Sequence, residues 1–165
     1  MKEVKGIKIT ELGFIPQKIG DLIYHEGPLL SAYNDRNNPD TYYLYKWADC
    51  DEKVNRWLVS QVSISNLRSF FLKEISLRTL VLSNPSVFIL ELDDKLMESG
   101  IMISATTDLP NEYMPKESSF YKEDAFTDFS QTFKTRILGK NITETLTFII
   151  NEVNSIKLIL QRNLA

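Results

Sequence analysis

A single cysteine and a single histidine in 165 residues close most routes to side-chain catalysis before any pattern is sought. One thiol cannot form a disulfide within the chain, which agrees with a reducing compartment. One His and one Cys cannot assemble a zinc site of the usual ligand sets. The six glycines are scattered, and no phosphate-cradling glycine loop, Gly-x-Ser-x-Gly elbow, His-Glu-x-x-His pair or calcium loop occurs. No stretch approaches the roughly 20 apolar residues of a membrane span, and the opening MKEVKGIKITELGF lacks the apolar run of a secretory signal. The expectation is a cytoplasmic protein with no cofactor, no metal and no membrane association.

Excess positive charge is also missing. The net charge is -3 and the pI about 5.3, whereas general nucleic-acid binding needs clustered cations against phosphate. Lys and Arg are spread along the chain, the densest group being Lys134, Arg136 and Lys140, which reads as a solvated edge.

What is present is an ordinary core-forming composition, 43% hydrophobic and 25% charged. At this length one domain buries about 70% of its unfolded surface without staples. Tyr42 to Val62 concentrates both tryptophans and three of the seven tyrosines. Two aromatic runs flank the polar patch Asp49 to Asn55, the pattern of two strands and an exposed turn. In the first strand Tyr43, Tyr45 and Trp47 share one face and Tyr42, Leu44, Lys46 and Ala48 the other; in the second, Trp57 and Val59 oppose Leu58 and Val62. Both faces are rich in apolar atoms, so the sheet is expected to be covered on both sides at least in part. Upstream, DLIYHEGPLLSAYND forms a second hairpin turning at His25-Glu26-Gly27-Pro28.

Downstream the period changes. Ile64, Leu67, Phe70 and Phe71 recur at helical spacing, and Ser76 caps a second short helix carrying Leu77, Leu80 and Val81. Ser86 to Asp93 and Ile101 to Thr107 read as strands joined by a loop from Asp94 to Gly100. Asp108 to Lys122 is broken by Pro110 and Pro115 and is expected to be an ordered loop pinned by Tyr113, Phe120 and Tyr121. Residues 131–138 offer two patterns. Phe126, Phe129, Phe133 and Ile137 suit a helix, while the β-branched residues and the alternation of Phe133, Thr135 and Ile137 with Lys134 and Arg136 favour a strand ending at Gly139. Beyond it, Asn141 and Glu144 resemble a capping box, and Ile142, Leu146, Ile149, Val153, Ile156 and Leu160 follow at alternating spacings of four and three. That predicts a helix from Ile142 to Leu164, about 33 Å long at 1.5 Å per residue.

The expected architecture is a single α+β domain: a mostly antiparallel sheet of roughly five to seven strands over 1–140, two short helices, and a long C-terminal amphipathic helix, 141–165, packed on it. Phe148, Ile150, Leu158 and Ile159 lie off the helix stripe, so two apolar faces ask for two partners. Leu146, Ile149, Val153, Ile156 and Leu160 are therefore the candidate contact residues for a protein partner or a second copy. The leading expectation is a non-enzymatic interaction module, with no catalytic residues.

Two other chemistries compete. Asp49, Asp51, Glu52, Glu91, Asp93 and Asp94 could give oxygen ligands to magnesium or manganese, with Asp93-Asp94-Lys95 echoing a nuclease motif. Alternatively, the faces of Tyr43, Tyr45, Trp47 and Trp57 could receive a small ligand. Cys50, between Asp49 and Asp51, stands in a negative setting that suits a nucleophilic thiol poorly.

The segments YHEGPLLSAYND, YYLYKWADCDEKVNRWLVSQVS, ISLRTL and DLPNEYMPKESSFY resemble, in matching order over about Asp21 to Tyr121, a family of uncharacterised bacterial proteins known as a domain of unknown function. The Tyr-x-x-Gly-Pro and Lys-Trp-Ala-Asp-x-Asp turns are its most specific parts. The resemblance implies a bacterial or phage-related cytoplasmic origin and a defined domain, with no catalytic residues. By analogy, small domains of this sort serve as accessory parts of larger assemblies such as defence systems.

Overall fold

A computed structural model describes residues 5–95, 97–123, 129–139 and, further on, Ile150, Asn151, Val153 and Asn154. Its frame is one seven-stranded antiparallel sheet. The strands are β1 (Ile7–Ile9), β2 (Pro16–Tyr24), β3 (Pro28–Asp35), β4 (Tyr42–Cys50), β5 (Val54–Val62), β6 (Ser86–Asp93) and β7 (Glu98–Ala105). Between β5 and β6 lie helices α1 (Ile64–Phe71) and α2 (Leu77–Val81), and residues 129–139 form a helix, α3.

The strand order β1-β7-β6-β5-β4-β3-β2 places the first two strands of the chain at opposite edges. From β2 onward the chain walks back strand by strand, through short connections except between β5 and β6, where α1 and α2 intervene. At the β2–β3 turn Glu26 (φ 52) and Gly27 (φ 152) take positive angles; Gly supplies such an angle without a Cβ clash. After β5, Ser63 and Ser76 start the helices, their side-chain oxygens accepting from the backbone N–H of Asn66 (3.1 Å) and Thr79 (3.2 Å).

The two faces of the sheet are covered very differently. One carries Leu30, Leu44, Leu58 and Ile89 and is roofed by Leu67, Phe70, Phe71 and Leu80 of α1 and α2 with Tyr113, Tyr121, Phe133 and Ile137. The other carries Tyr43, Tyr45, Val59, Leu90 and Ile101, and what packs over it is Ile9, Leu12 and Phe14, the end of β1 and the link to β2. The alternation read in the central hairpin is the observed one, with apolar cover on both sides.

That link is short. Seven residue steps separate Ile9 from Pro16 and reach at most about 25 Å. Six strand spacings in a flat sheet span about 29 Å. The sheet must therefore curl toward the strap, and its irregularities allow it. Register shifts occur at Trp47/Asp49, at Glu91/Leu92 and three times along β2–β3, and such bulges bend strands locally.

Three expectations are corrected. Residues 131–138 are helical, not a strand: Phe133 and Ile137, four apart, are both buried, and Thr135 satisfies its hydroxyl on the Gln131 carbonyl one turn back (3.0 Å). A β arrangement would have buried Thr135 as well. Strand β7 begins at Glu98 rather than Ile101, because Asp93 Oδ1 accepts from the N–H groups of Lys95 (2.9 Å) and Met97 (2.8 Å) and closes a tighter turn. In the 108–122 segment Tyr113 and Tyr121 enter the core, but Phe120 is 47% exposed, since neighbouring side chains of a non-helical stretch point apart and Tyr121 takes the inward position. Most of the expected C-terminal helix, including Leu146, Ile149, Ile156 and Leu160, lies outside the described residues.

Helix α3 docks on the outer strand β2 through a glycine. A Cβ on Gly20 would stand 2.5 Å from the Phe129 ring. Gly20→Val should cost about 1–3 kcal/mol by overpacking, with part recovered in the Gly20→Val/Phe129→Ala pair. Urea denaturation checks this, and a Gly20→Val variant as stable as the parent would contradict the contact.

Candidate functional site

Two places gather the residues singled out from the sequence. The first is the β4–β5 turn and its acidic side chains. Arg56 is 5% exposed, and β5 places it on the face that also carries Leu58. A guanidinium there needs partners, and the neighbouring strands supply them: Asp49 stands opposite on β4 and Glu91 opposite on β6. Arg56 Nε donates to Glu91 (2.9 Å), Nη2 to Asp51 (2.9 Å) and Nη1 to Asp49 (3.4 Å). Burial alone would lower the Arg56 pKa; the Asp51 and Glu91 carboxylates outweigh it and hold the group above its usual value. Asp51 is held below the usual carboxylate range, first by the Lys53 N–H, then by Arg56 and the Val54 N–H.

These carboxylates therefore already have a cation. Asp93 is occupied in closing its own turn, and Lys95 is exposed. Among the described residues no group of three or more His, Cys, Asp or Glu is arranged to hold a metal ion. Cys50, the last residue of β4, and His25, on the β2–β3 turn, are both exposed and belong to different hairpins. Nearby, half-buried Lys46 donates to the Tyr113 carbonyl (2.9 Å), and burial lowers its pKa to about 8. The cluster clips the hairpin end to β6 and to the Tyr113 segment.

The second place is a groove of about 390 Å³ on the strapped face. Tyr33, Tyr45 and Trp57 line it, with Leu90 and Leu92 on one side, Leu12 and Pro16 of the strap on the other, and Lys18, Ser31 and Glu98 among its polar residues. Beside it Phe14 stacks on Tyr43, ring centroids 3.7 Å apart and 3° from parallel. Tyr33 and Tyr45 lie 4.0 Å apart at 32°. Of the four aromatic residues read as a ligand platform, the structure brings Tyr45 and Trp57 to the groove. Tyr43 lies under Phe14, and Trp47 turns its indole N–H to Asn55 Oδ1 (3.4 Å).

Two polar atoms of the groove's lining residues lack partners. The Tyr45 hydroxyl and the Trp57 indole nitrogen are shut from solvent, yet neither has a hydrogen bond among the described residues. A buried polar group without a partner costs roughly 1–3 kcal/mol. Burial pushes the Tyr45 phenol far above its usual pKa, followed by the proximity of Tyr33, Glu98 and Tyr43. Tyr33 is raised too, first by burial, with Lys18 acting in the opposite sense.

Arg56, Tyr33 and Glu98 were not legible as site residues. Arg56 had a usable signal: a charge on the strand face that carries Leu58 and Val62 needs carboxylates, and Asp49 and Asp51 stand in the same hairpin. Tyr33 and Glu98 had none, because they meet Tyr45 only through the sheet order.

No family model, curated protein or solved structure matches the chain. The resemblance carried by the two turn motifs remains an expectation.

Tyr45→Phe keeps the ring and deletes the unpartnered hydroxyl. Its unfolding free energy should be unchanged or higher by up to about 1 kcal/mol. A loss above about 1 kcal/mol in urea titrations would mean that the hydroxyl has a partner in the folded protein.

Proposed function

We propose that this protein is a non-enzymatic binding module whose aromatic groove receives a small ligand. The observation that carries this reading is the groove itself, whose lining brings Tyr33, Tyr45 and Trp57 together with Leu90 and Leu92. Binding sites of this class are apolar concavities with few convergent polar groups. The rings provide most of the contact area for such a ligand. Catalysis has little support by comparison, because the acidic side chains are engaged with Arg56 and with turn backbone. Replacing Trp47 by Phe leaves Trp57 as the one indole, and its emission reports on the groove. Within a mixed panel of small amphiphilic metabolites, at least one class should shift that emission saturably, and Leu92→Phe, which narrows the groove without adding an indole, should weaken the shift. A panel that leaves the emission untouched overturns the reading.

A second reading is favoured by the exposure of helical Ile150 (57%) and Val153 (45%). The C-terminal segment docks a protein partner or a second copy of the chain through the stripe of Leu146, Ile149, Val153, Ile156 and Leu160, with the module serving as an accessory part of a larger bacterial assembly. Light scattering over a range of concentrations should show association in the parent and a monomer in Val153→Glu; a parent monomeric throughout removes self-association and leaves the partner to be sought by pull-down.

A further inference from the structure

An open sheet has two edges, and this chain treats them differently. Along β2 the edge is managed. Pro16 opens the strand, the β2–β3 register shifts three times, Lys18 and Asp21 pair at 2.8 Å, and Phe129 of α3 lies against Gly20. Proline, bulges, charges and a covering helix are devices that keep a strand edge from pairing with another chain. Strand β1 has fewer of them. Its register with β7 runs unbroken from Ile7↔Ile103 to Ile9↔Ile101, it holds no proline, and among the described residues no strand pairs with its other side. The backbone N–H and C=O groups that point that way are left to water or to a further strand.

The side chains say what kind of strand would fit. Ile7 and Ile9 stand opposite Ile103 and Ile101, and Ile7 is 74% exposed, more than any other large hydrophobic side chain among the described residues. Lys8 stands opposite Met102 on the other face, and Lys5 comes just before the strand. Both lysines are exposed, and neither has an ion-pair partner among the described residues. Residues directly opposite each other in an antiparallel pair share a face and touch, so opposite charges there attract and like charges repel. A second copy of the chain fits this edge badly, because pairing β1 with β1 gathers Lys5 and Lys8 of both copies at one joint. Lysines on an edge discourage self-pairing in this way. They favour a strand of the opposite charge.

We propose that the free edge of β1 docks an extended acidic segment of a protein partner, which lengthens the sheet by one strand. An acidic residue of that segment faces Lys8, and apolar residues face Ile7 and Ile9.

Two short capped peptides test this, one alternating valine with glutamate and the other valine with lysine. Each is titrated into the isotope-labelled protein and followed through its amide chemical shifts. The glutamate peptide should shift the amides of Lys5 to Ile9 and Ile101 to Ile103 saturably, and the lysine peptide should bind about five-fold more weakly or worse. In the Lys5→Glu/Lys8→Glu variant the preference should reverse, which a damaged fold could not produce. Equal binding of the two peptides, shifts that fall away from β1 and β7, or no shift with either at millimolar peptide overturns the proposal. So does movement of the same amides with rising concentration of the protein alone, which would give the edge to a second copy.

Discussion

A connection of seven residue steps between strands at opposite edges of a seven-stranded sheet is the constraint on which the rest of this molecule depends. Because the link is shorter than a flat sheet is wide, the strands must curl toward it and the link must run across the concave side. That single requirement gives the two faces their different fates. The outer face is free to accept α1, α2, α3 and the 106–123 segment as a roof. The inner face has room for one strap, so its cover is thin and its side chains are large aromatics that fill space at low conformational cost. Phe14 on Tyr43 anchors the strap near its middle. Where the strap does not reach, Tyr33, Tyr45 and Trp57 are left lining a groove.

The charged residues fall into place around that frame. Acidic side chains at the ends of β4 and β6 surround Arg56 and tie the hairpin end to its neighbour. Breaking such a set by removing one member is costlier than its net contribution, since it strands charges that were paired. This explains why so many carboxylates crowd one turn without implying chemistry. The groove differs: among the described residues, Tyr45 Oη and Trp57 Nε1 of its lining residues are buried without hydrogen-bond partners.

Local pattern carried much of the fold. The pairing of β4 with β5, the bounds of β6, the two serine-capped helices and the Glu26-Gly27 turn follow from alternation, capping and turn chemistry that act within a dozen residues, while β4 and β5 run further into the expected Asp49–Asn55 turn, to Cys50 and from Val54. Non-local facts did not show. Nothing in residues 1–20 announces that β1 pairs with β7, so neither the strap nor the curl was legible. In 131–138 local β propensity pointed one way, and burial of Phe133 and Ile137 against Tyr42, Phe71 and the core decided the other. Tyr45 and Trp57 were legible as a platform because they share a hairpin face; Tyr33 and Glu98 reach them only across β3 and from β7.

Every functional conclusion drawn for the groove requires the strap to cross the inner face. Among the described residues no helix is long and apolar enough to cross a membrane. The most direct test is proton nuclear Overhauser spectroscopy of the free protein. Phe14 ring protons should show strong contacts to the Tyr43 ring and weaker ones to Phe88, whose centroid lies 5.9 Å away. If those contacts are absent while the β1–β7 and β2–β3 ladders give theirs, the connection does not lie across the sheet, and the curl, the groove and its ligand go with it.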